Sequence, residues 1–267
     1  MLKTRVISGA ILALILFVLL IAGGNYLLIA TGAVSVIGMY ELYKVFKIQN
    51  NAIAYVGYIA SVVYFLNLKF SFIADVKMLF LLALIVMLFI FVFSYPKVHA
   101  TQLMAAFFAI FYVALMLSCV YLTRELEAGK YLVWLIFICS WVCDTCAYFV
   151  GVKFGKHKMA PVLSPKKSKE GAIGGIVGSA VIALLFGIIF GRNMDMSFTQ
   201  ILLFPVICAI GGFISMIGDL AASAIKRFYE IKDYGNLIPG HGGILDRFDS
   251  VIITAPIVYY LSVYFFR

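Results

Sequence analysis

Residues 78–95 read MLFLLALIVMLFIFVFSY, a run without a charged side chain. A transmembrane helix needs about 20 predominantly apolar residues to cross the hydrocarbon core of a bilayer. The whole chain has this character, because 64% of its 267 residues are hydrophobic and only 12% are charged. A soluble domain is about half apolar and about a quarter charged. The sequence therefore predicts an integral membrane protein.

Other apolar segments on both sides of this run predict an all-α polytopic membrane protein. The nine predicted transmembrane helices cover residues 6–22, 25–43, 52–67, 78–95, 101–122, 131–151, 171–191, 199–220 and 250–266. The first resembles a signal peptide, but no small-residue cleavage site follows it, so we expect it to be retained. The segment GAIGGIVGSA (171–180) spaces its glycines four apart, which favours close helix packing.

The positions of Lys and Arg predict the orientation of the chain in the cell membrane. Most of the 21 basic residues lie on the side that holds the N-terminus, including those of the polar loops 152–170 and 221–249. We therefore expect a cytoplasmic N-terminus, an outer C-terminus at Arg267, and both polar loops in the cytoplasm. The net charge of +9 then indicates membrane lipid and a polyanionic substrate rather than nucleic acid.

The candidate functional residues are predicted to lie almost entirely in the C-terminal part of the chain. Residues 1–130 form an N-terminal scaffold of five spans, and residues 131–267 form a catalytic region of four spans with both polar loops. Cys139, Cys143 and Cys146 share one helical face, so a metal site there is an alternative. It is the weaker one, because no histidine or fourth thiol lies nearby in the sequence to complete a zinc shell.

Two carboxylates lie inside apolar segments. Asp144 occurs in WVCDTCAYF, and Asp219 occurs in SMIGDLAASAIKRFYE. A charge facing lipid at the bilayer centre costs about 2.5–3.5 kcal/mol, so such residues usually line a polar cavity or pair. On a continuous helix, Asp219 shares a face with Ser223 and Lys226. The alternatives are a structural role for Asp144 and, for Asp219, a row of polar side chains along the surface of the helix.

The stretch KDYGNLIPGHGGILDRFDS (232–250) interrupts the apolar pattern. Pro239, with Gly240, Gly242 and Gly243, excludes a regular helix there. Asp246 and Asp249 follow three residues apart at the start of the last span, an arrangement of hard oxygen ligands that suits Mg²⁺. Capping of the helix N-terminus is the alternative role for these aspartates.

The basic loop GKHKMAPVLSPKKSKEG (155–171) contains Lys166 and Lys167. It suits either attraction to lipid headgroups or a clamp for several phosphates. Together with the carboxylates, it indicates phosphoryl or nucleotidyl transfer to or from a lipid at the cytoplasmic membrane face. A secondary transporter is the alternative of another class, but no inverted repeat is visible and the charges concentrate at one face.

Residues 223–249, SAIKRFYEIKDYGNLIPGHGGILDRFD, resemble the signature of the phosphatidate cytidylyltransferase (CDP-diacylglycerol synthase) family. All of its fixed positions are met: Ser223, Lys226, Arg227, Lys232, Asp233, Pro239, His241, Gly242, Gly243, Asp246, Arg247 and Asp249. A second family-like pattern begins at Asp144 and continues through the SPKK segment at 164–167, with departures at Cys146, Ser168 and Lys169. The first 130 residues resemble the family only in their multiple spans.

The resemblance implies that CTP and phosphatidic acid react to CDP-diacylglycerol and pyrophosphate, in phospholipid biosynthesis. It implies catalytic roles for Asp144, Asp219, His241, Asp246 and Asp249, of which the four aspartates would also bind Mg²⁺. It implies substrate binding by Lys166, Lys167, Ser223, Lys226, Arg227 and Arg247. The sequence leaves open a second cation, a homodimer and the role of His241. A CDP-alcohol phosphotransferase is disfavoured, because its aspartate pattern is absent.

Overall fold

The computed structural model describes the backbone of residues 2–266 and the side chains of residues 6–266. Within that range the chain forms nine long helices and one two-stranded antiparallel sheet. The helices are α1 (Leu2–Ala22), α2 (Gly24–Val45), α3 (Ala52–Phe70), α4 (Val76–Phe93), α5 (Ala100–Arg124), α6 (Gly129–Phe154), α7 (Lys169–Met194), α8 (Phe198–Phe228) and α9 (Leu245–Phe265). The strands are β1 (Lys158–Ala160) and β2 (Ser164–Ser168).

The nine helices coincide with the nine predicted spans, so the prediction of an all-α polytopic membrane protein is confirmed. Eight of them, α2 to α9, are long and apolar enough to cross a membrane, and α1 adds the apolar segment Val6–Ala22. The third span is longer than predicted, because α3 continues to Phe70 and has 19 residues. The predicted outer C-terminus concerns Arg267, which lies outside the described residues, as do the side chains of Lys3 and Arg5.

The basic loop between α6 and α7 folds as a hairpin, which the sequence analysis did not predict. Strands β1 and β2 pair with Lys158 opposite Ser168. Glu170, in the first turn of α7, closes the hairpin, because its carboxylate accepts hydrogen bonds from the backbone N–H groups of Lys156 and His157. His157 Nδ1 also lies 2.6 Å from Glu170 Oε1. Lys166 and Lys167 therefore project from a strand rather than from an irregular loop.

The chain divides into two compact units. The first comprises residues up to Leu19, Asn25–Ser118 and Asp233–Arg247. The second comprises Leu20–Gly24, Cys119–Lys232 and the residues from Phe248 onwards. The predicted boundary at residue 130 separates a scaffold from a catalytic region, and this division of roles stays a prediction.

Some buried hydroxyl groups of the first unit find partners inside its apolar core. The Tyr43 side chain is fully buried, and its hydroxyl donates to the Ala106 carbonyl of α5 at 2.7 Å. Tyr64 of α3 and Ser118 of α5 share a hydrogen bond of 2.9 Å. An unpaired polar group in such a core is expensive, so these bonds help to set how α2 and α3 pack against α5.

The second unit depends on the close approach of α6 and α7. A Cβ atom added at Gly174 would lie 2.5 Å from the Val150 side chain, and one at Gly178 would lie 2.6 Å from Cys146 Sγ. At Gly171 it would lie 2.7 Å from the backbone oxygen of Ala147. The interpretation of these glycines as packing residues is therefore confirmed. Helix α8 approaches α6 in the same way, through Gly211.

We expect Gly174→Ala to destabilise the protein, because the new methyl group overlaps the Val150 side chain. Overpacking of this kind costs about 1–3 kcal/mol. The measurement is the thermal unfolding midpoint of the purified protein in detergent. Val177→Ala, on the exposed face of the same helix, is the control and should leave the midpoint nearly unchanged. Equal midpoints for the two variants would contradict the packing role of Gly174.

Candidate active site

Three aspartates from three helices of the second unit lie within electrostatic reach of one another. They are Asp144 of α6, Asp219 of α8 and Asp249 of α9, and we call them the acidic cluster. Asp249 is buried, with 8% of its surface exposed. Its Oδ1 accepts a hydrogen bond of 2.8 Å from the backbone N–H of Ser250, whose hydroxyl lies within hydrogen-bonding reach of Asp144. The three helices thus concentrate negative charge at one place.

Lysine side chains offset the charge of the acidic cluster. Lys167 of strand β2 forms an ion pair with Asp219, through its Nζ and the aspartate Oδ2. Lys226 interacts electrostatically with Asp249. Because α8 is helical as far as Phe228, Asp219, Ser223 and Lys226 share one face of this helix, as predicted. The ion pair of Lys167 with Asp219 thus joins the hairpin to α8, with both side chains half-buried.

A cavity of about 530 Å³ opens beside Asp144 and Asp219. Lys158, Lys166 and Lys167 line it on the hairpin side. Its remaining wall is largely apolar, formed by residues that include Tyr148, Met216, Val152, Ala147 and Ala172. A ligand that carries both phosphate groups and apolar surface suits such a lining, because each part meets a matching surface.

In the first unit, the loop before α9 forms a tight turn. The backbone N–H of Ile238 donates to the Gly242 carbonyl at 2.8 Å, and that of His241 donates to the Ile238 carbonyl at 2.9 Å. Gly240 and Gly242 have φ angles of 78° and 84°, which side-chain-bearing residues rarely adopt. The turn confirms that this stretch is not helical.

Asp246 organises this loop from the first turn of α9. Its Oδ2 accepts hydrogen bonds from the backbone N–H groups of Tyr234, at 2.8 Å, and Gly243, at 3.0 Å. A Cβ atom at Gly242 would lie 2.8 Å from the same oxygen, so the carboxylate also leaves room only for glycine there. These contacts match the capping role considered for Asp246. Its predicted role as a metal ligand stays a prediction.

The predicted site residues fall into two groups. The second unit contains Asp144, Asp219, Asp249, Lys166, Lys167, Ser223, Lys226 and Arg227, and the first contains His241, Asp246 and Arg247. Arg247 is half-buried, and its Nε has no hydrogen-bond partner among the described residues. An orphaned buried donor of this kind suits an anionic ligand such as phosphate. The catalytic and binding roles of all these residues stay predictions.

No group of three or more His, Cys, Asp or Glu side chains within the described part of the chain is arranged to hold a metal ion. In the acidic cluster, the Lys167 ammonium supplies the positive charge at Asp219. The cysteines lie at helix contacts instead: Cys139 Sγ is 3.1 Å from Cys208 Sγ, and Cys143 Sγ is 3.7 Å from the Gly212 carbonyl.

Sequence analysis missed Glu41, a carboxylate of α2 that is only 4% exposed. Its Oε1 accepts a hydrogen bond of 3.0 Å from the Ile244 N–H, and its Oε2 accepts one of 2.8 Å from the Leu245 N–H. An anion at a helix N-terminus satisfies backbone donors that have no partner within the helix. Glu41 therefore caps α9 from another helix. The signal was present, since Glu41 is a lone carboxylate in the apolar segment GMYELYKVF.

The chain also matches known proteins over nearly its whole length. The model of the cytidylyltransferase family matches residues 3–265. The chain belongs to this family. Membership confirms the resemblance found in the sequence and makes the chain a nucleotidyltransferase by class. It leaves the transporter alternative without support.

Several relatives are named phosphatidate cytidylyltransferase. One from Bacillus subtilis is 31% identical over 98% of each chain. One from Haemophilus influenzae is 35% identical over 100% of this chain and 99% of its own. One from Thermotoga maritima is 31% identical over 97% of this chain and 95% of its own. The similarity therefore extends over both compact units.

We expect Glu41→Ala to loosen the start of α9, because the Ile244 and Leu245 N–H groups lose their shared acceptor. Each buried donor left unpaired costs about 1–3 kcal/mol. The measurement is hydrogen exchange by mass spectrometry, in which peptides covering residues 235–245 should exchange faster. Glu127→Ala, at an exposed carboxylate, is the control and should not change this exchange. Unchanged protection in Glu41→Ala would show that the cap is dispensable.

Proposed function

We propose that the chain transfers the cytidylyl group of CTP to phosphatidate, releasing pyrophosphate and forming CDP-diacylglycerol. The observation that carries this proposal is a cavity lined by two carboxylates, three lysines and an apolar wall. Carboxylates and lysines together suit a metal–nucleotide substrate, and the apolar wall suits a lipid acceptor. Family membership and the names of the relatives support the same reaction.

The reaction requires positioning and charge neutralisation more than covalent chemistry. A phosphatidate oxygen attacks the α-phosphorus of CTP, and the bond from that phosphorus to the pyrophosphate oxygen breaks. Lys166 and Lys167 hold the triphosphate from the hairpin. Ser223, Lys226 and Arg227 bind phosphate oxygens from the end of α8. Arg247, in the first unit, is a further candidate for phosphate binding, because its Nε has no hydrogen-bond partner among the described residues.

We further propose that the acidic cluster holds Mg²⁺. The chemistry of its donors suits the ion, because Asp144, Asp219 and Asp249 offer only hard oxygen atoms and their mutual repulsion favours a cation, but Lys167 would have to leave Asp219 for the three to hold it. When bound, the ion neutralises charge on the triphosphate oxygens. Lys167 then exchanges its contact with Asp219 for the substrate phosphates.

We place the N-terminus and both polar segments, 152–170 and 221–249, on the cytoplasmic side of the cell membrane. The uneven distribution of Lys and Arg supports this orientation, since positive loops remain in the cytoplasm. CTP then reaches the cavity from the cytoplasm, and phosphatidate reaches it from the bilayer.

The proposed reaction is tested by pyrophosphate release from purified protein in lipid–detergent micelles that contain phosphatidate. We expect turnover with CTP and far less with ATP, GTP or UTP. Lys167→Ala should reduce this turnover about 10²-fold or more, because charge stabilisation of the transferring group is lost. Lys153→Ala, at an exposed lysine outside the cavity, is the control. Absence of CTP turnover in the wild type would refute the reaction. Equal activity of both variants would refute the phosphate-binding role of Lys167.

The metal proposal is tested by Asp249→Asn, which keeps the shape of the side chain and removes its charge. We expect turnover to fall about 10²-fold or more, while the thermal unfolding midpoint stays close to that of the wild type. Higher Mg²⁺ concentrations should restore part of the turnover if the substitution weakens the affinity for Mg²⁺. Asp195→Asn, at an exposed position with φ of 51° that asparagine tolerates, is the control. Near-wild-type turnover of Asp249→Asn at limiting Mg²⁺ would place the metal elsewhere.

A further inference from the structure

A second cavity of the second unit lies away from the acidic cluster. Its volume is about 1000 Å³, at the upper end of the roughly 300–1,000 Å³ that ligand pockets occupy. Its walls come from the segment that joins α5 to α6, the segment that joins α7 to α8, and the C-terminal half of α9. Ser262 of this wall follows Asp249 along α9 by about 20 Å, at a rise of 1.5 Å per residue. We call this space the interfacial cavity.

The interfacial cavity lies where transmembrane helices begin and end. Helix α6 begins at Gly129, α7 ends at Met194 and α9 ends at Phe265. Tyr131 and Tyr259 both line the cavity. Tyrosine is enriched where the membrane meets water, because its ring is apolar and its hydroxyl is polar. The cavity therefore lies at the level of the lipid head groups.

A buried hydroxyl group at this cavity has no protein partner. Ser262 lines the cavity and is only 1% exposed, and its Oγ has no hydrogen-bond partner among the described residues. Other buried hydroxyls of this unit are satisfied within their own helices: Ser140 donates to the Ile136 carbonyl, and Thr254 donates to that of Ser250. An unpaired buried hydroxyl is unfavourable, so Ser262 suits donation to a ligand in the cavity.

Charged groups of both signs line the interfacial cavity. They are Glu127, Lys130 and Asp195, and none of them forms an ion pair within the part of the chain that the structure describes. Lys130 Nζ instead lies 5.8 Å from the centre of the Tyr131 ring. A ligand that carries one positive and one negative group can pair with both kinds of side chain. A purely anionic ligand would meet the two carboxylates.

Much of the remaining lining is apolar. It includes Leu126, Leu132, Met194 and Val263. Burial of apolar surface favours a ligand that has hydrocarbon of its own. A small soluble zwitterion would leave this surface uncovered, whereas the acyl chains of a phospholipid would cover it.

We propose that the interfacial cavity binds a zwitterionic phospholipid whose head group carries a phosphodiester and a primary ammonium group. The Ser262 hydroxyl donates to a phosphodiester oxygen, and Lys130 pairs with the same phosphate. Glu127 lies in the turn just before α6, close in sequence to Lys130 in its first turn, and accepts hydrogen bonds from the ammonium group. The proposal is independent of cytidylyl transfer, since the cavity lies far along α9 from Asp249.

The primary ammonium group gives the site its specificity. It has N–H donors that a carboxylate such as Glu127 can accept, as the ammonium of lysine has. A trimethylammonium head group has the same charge and no N–H donor. The site therefore prefers phosphatidylethanolamine to phosphatidylcholine.

Photo-crosslinking tests the location without any substitution. The probe is phosphatidylethanolamine with a diazirine near the start of one acyl chain, added to the wild-type protein in detergent micelles. We expect it to label residues 126–132, 193–200 and 259–266, and we expect unlabelled phosphatidylethanolamine to suppress this labelling better than phosphatidylcholine. Labelling confined to other segments, or equal suppression by the two lipids, would overturn the proposal.

The Kd for phosphatidylethanolamine, measured by native mass spectrometry, tests the buried hydroxyl. Ser262→Ala should raise this Kd about tenfold, because a hydrogen bond to a charged phosphate is lost. Ser35→Ala is the control, since it removes a buried hydroxyl of the first unit that also has no hydrogen-bond partner among the described residues. Equal Kd values for the two variants would contradict the proposal. So would a larger loss of binding in Lys167→Ala, which would place the lipid in the other cavity.

The head-group preference tests Glu127. Glu127→Gln should bind phosphatidylethanolamine and phosphatidylcholine with nearly equal Kd values, because the charge that attracts the ammonium group is gone. Glu125→Gln, at a neighbouring exposed carboxylate outside the cavity lining, is the control and should keep the wild-type preference. An unchanged preference in Glu127→Gln would refute the assigned ammonium contact. Thermal unfolding midpoints establish that each variant is folded.

Discussion

Charge inside an apolar protein must be paired, and this constraint governs the arrangement of the functional residues. A carboxylate without a partner would be costly at membrane depth. Asp219 meets the Lys167 ammonium, and Asp249 lies within reach of Lys226. Glu41 instead receives two backbone N–H groups at the start of α9. Each of these acidic residues thus ties together parts of the chain that are distant in sequence, and Asp219 and Lys167 also line the cavity of the second unit that lies beside the acidic cluster.

The pairing depends on helices that approach closely enough to bring the charges together. Glycines on α7 let α6 approach at Val150 and Cys146, and Gly211 lets α8 approach Cys139. These contacts set the positions of Asp144 and Asp219 on neighbouring helices. Glu170 then holds the hairpin that carries Lys167. The acidic cluster therefore depends on two features together. Small residues let the helices approach, and charge pairing holds the lysine side chains beside the aspartates.

Much of the fold follows from the sequence, because each span must satisfy its own backbone hydrogen bonds within the helix. Runs such as 78–95 therefore identify helices without knowledge of their neighbours. The hairpin escaped prediction, since SPKKS has low strand propensity and is held by Glu170, whose contact with His157 spans 13 residues. The candidate site was predicted by residue type, but the sequence could not distinguish metal binding from capping at Asp246. That distinction depends on which backbone groups lie beside the carboxylate.

By itself, the sequence determined the membrane class, the number of helices and the family, because composition, span length and a 27-residue signature are local properties of the chain. Only the tertiary structure decided the partners of the charged groups. It placed Lys167 on Asp219 and gave Glu41 the cap of α9. It also brought Ser8 to His241, a contact that spans 233 residues. Such pairings depend on distances between helices, and helix packing sets those distances.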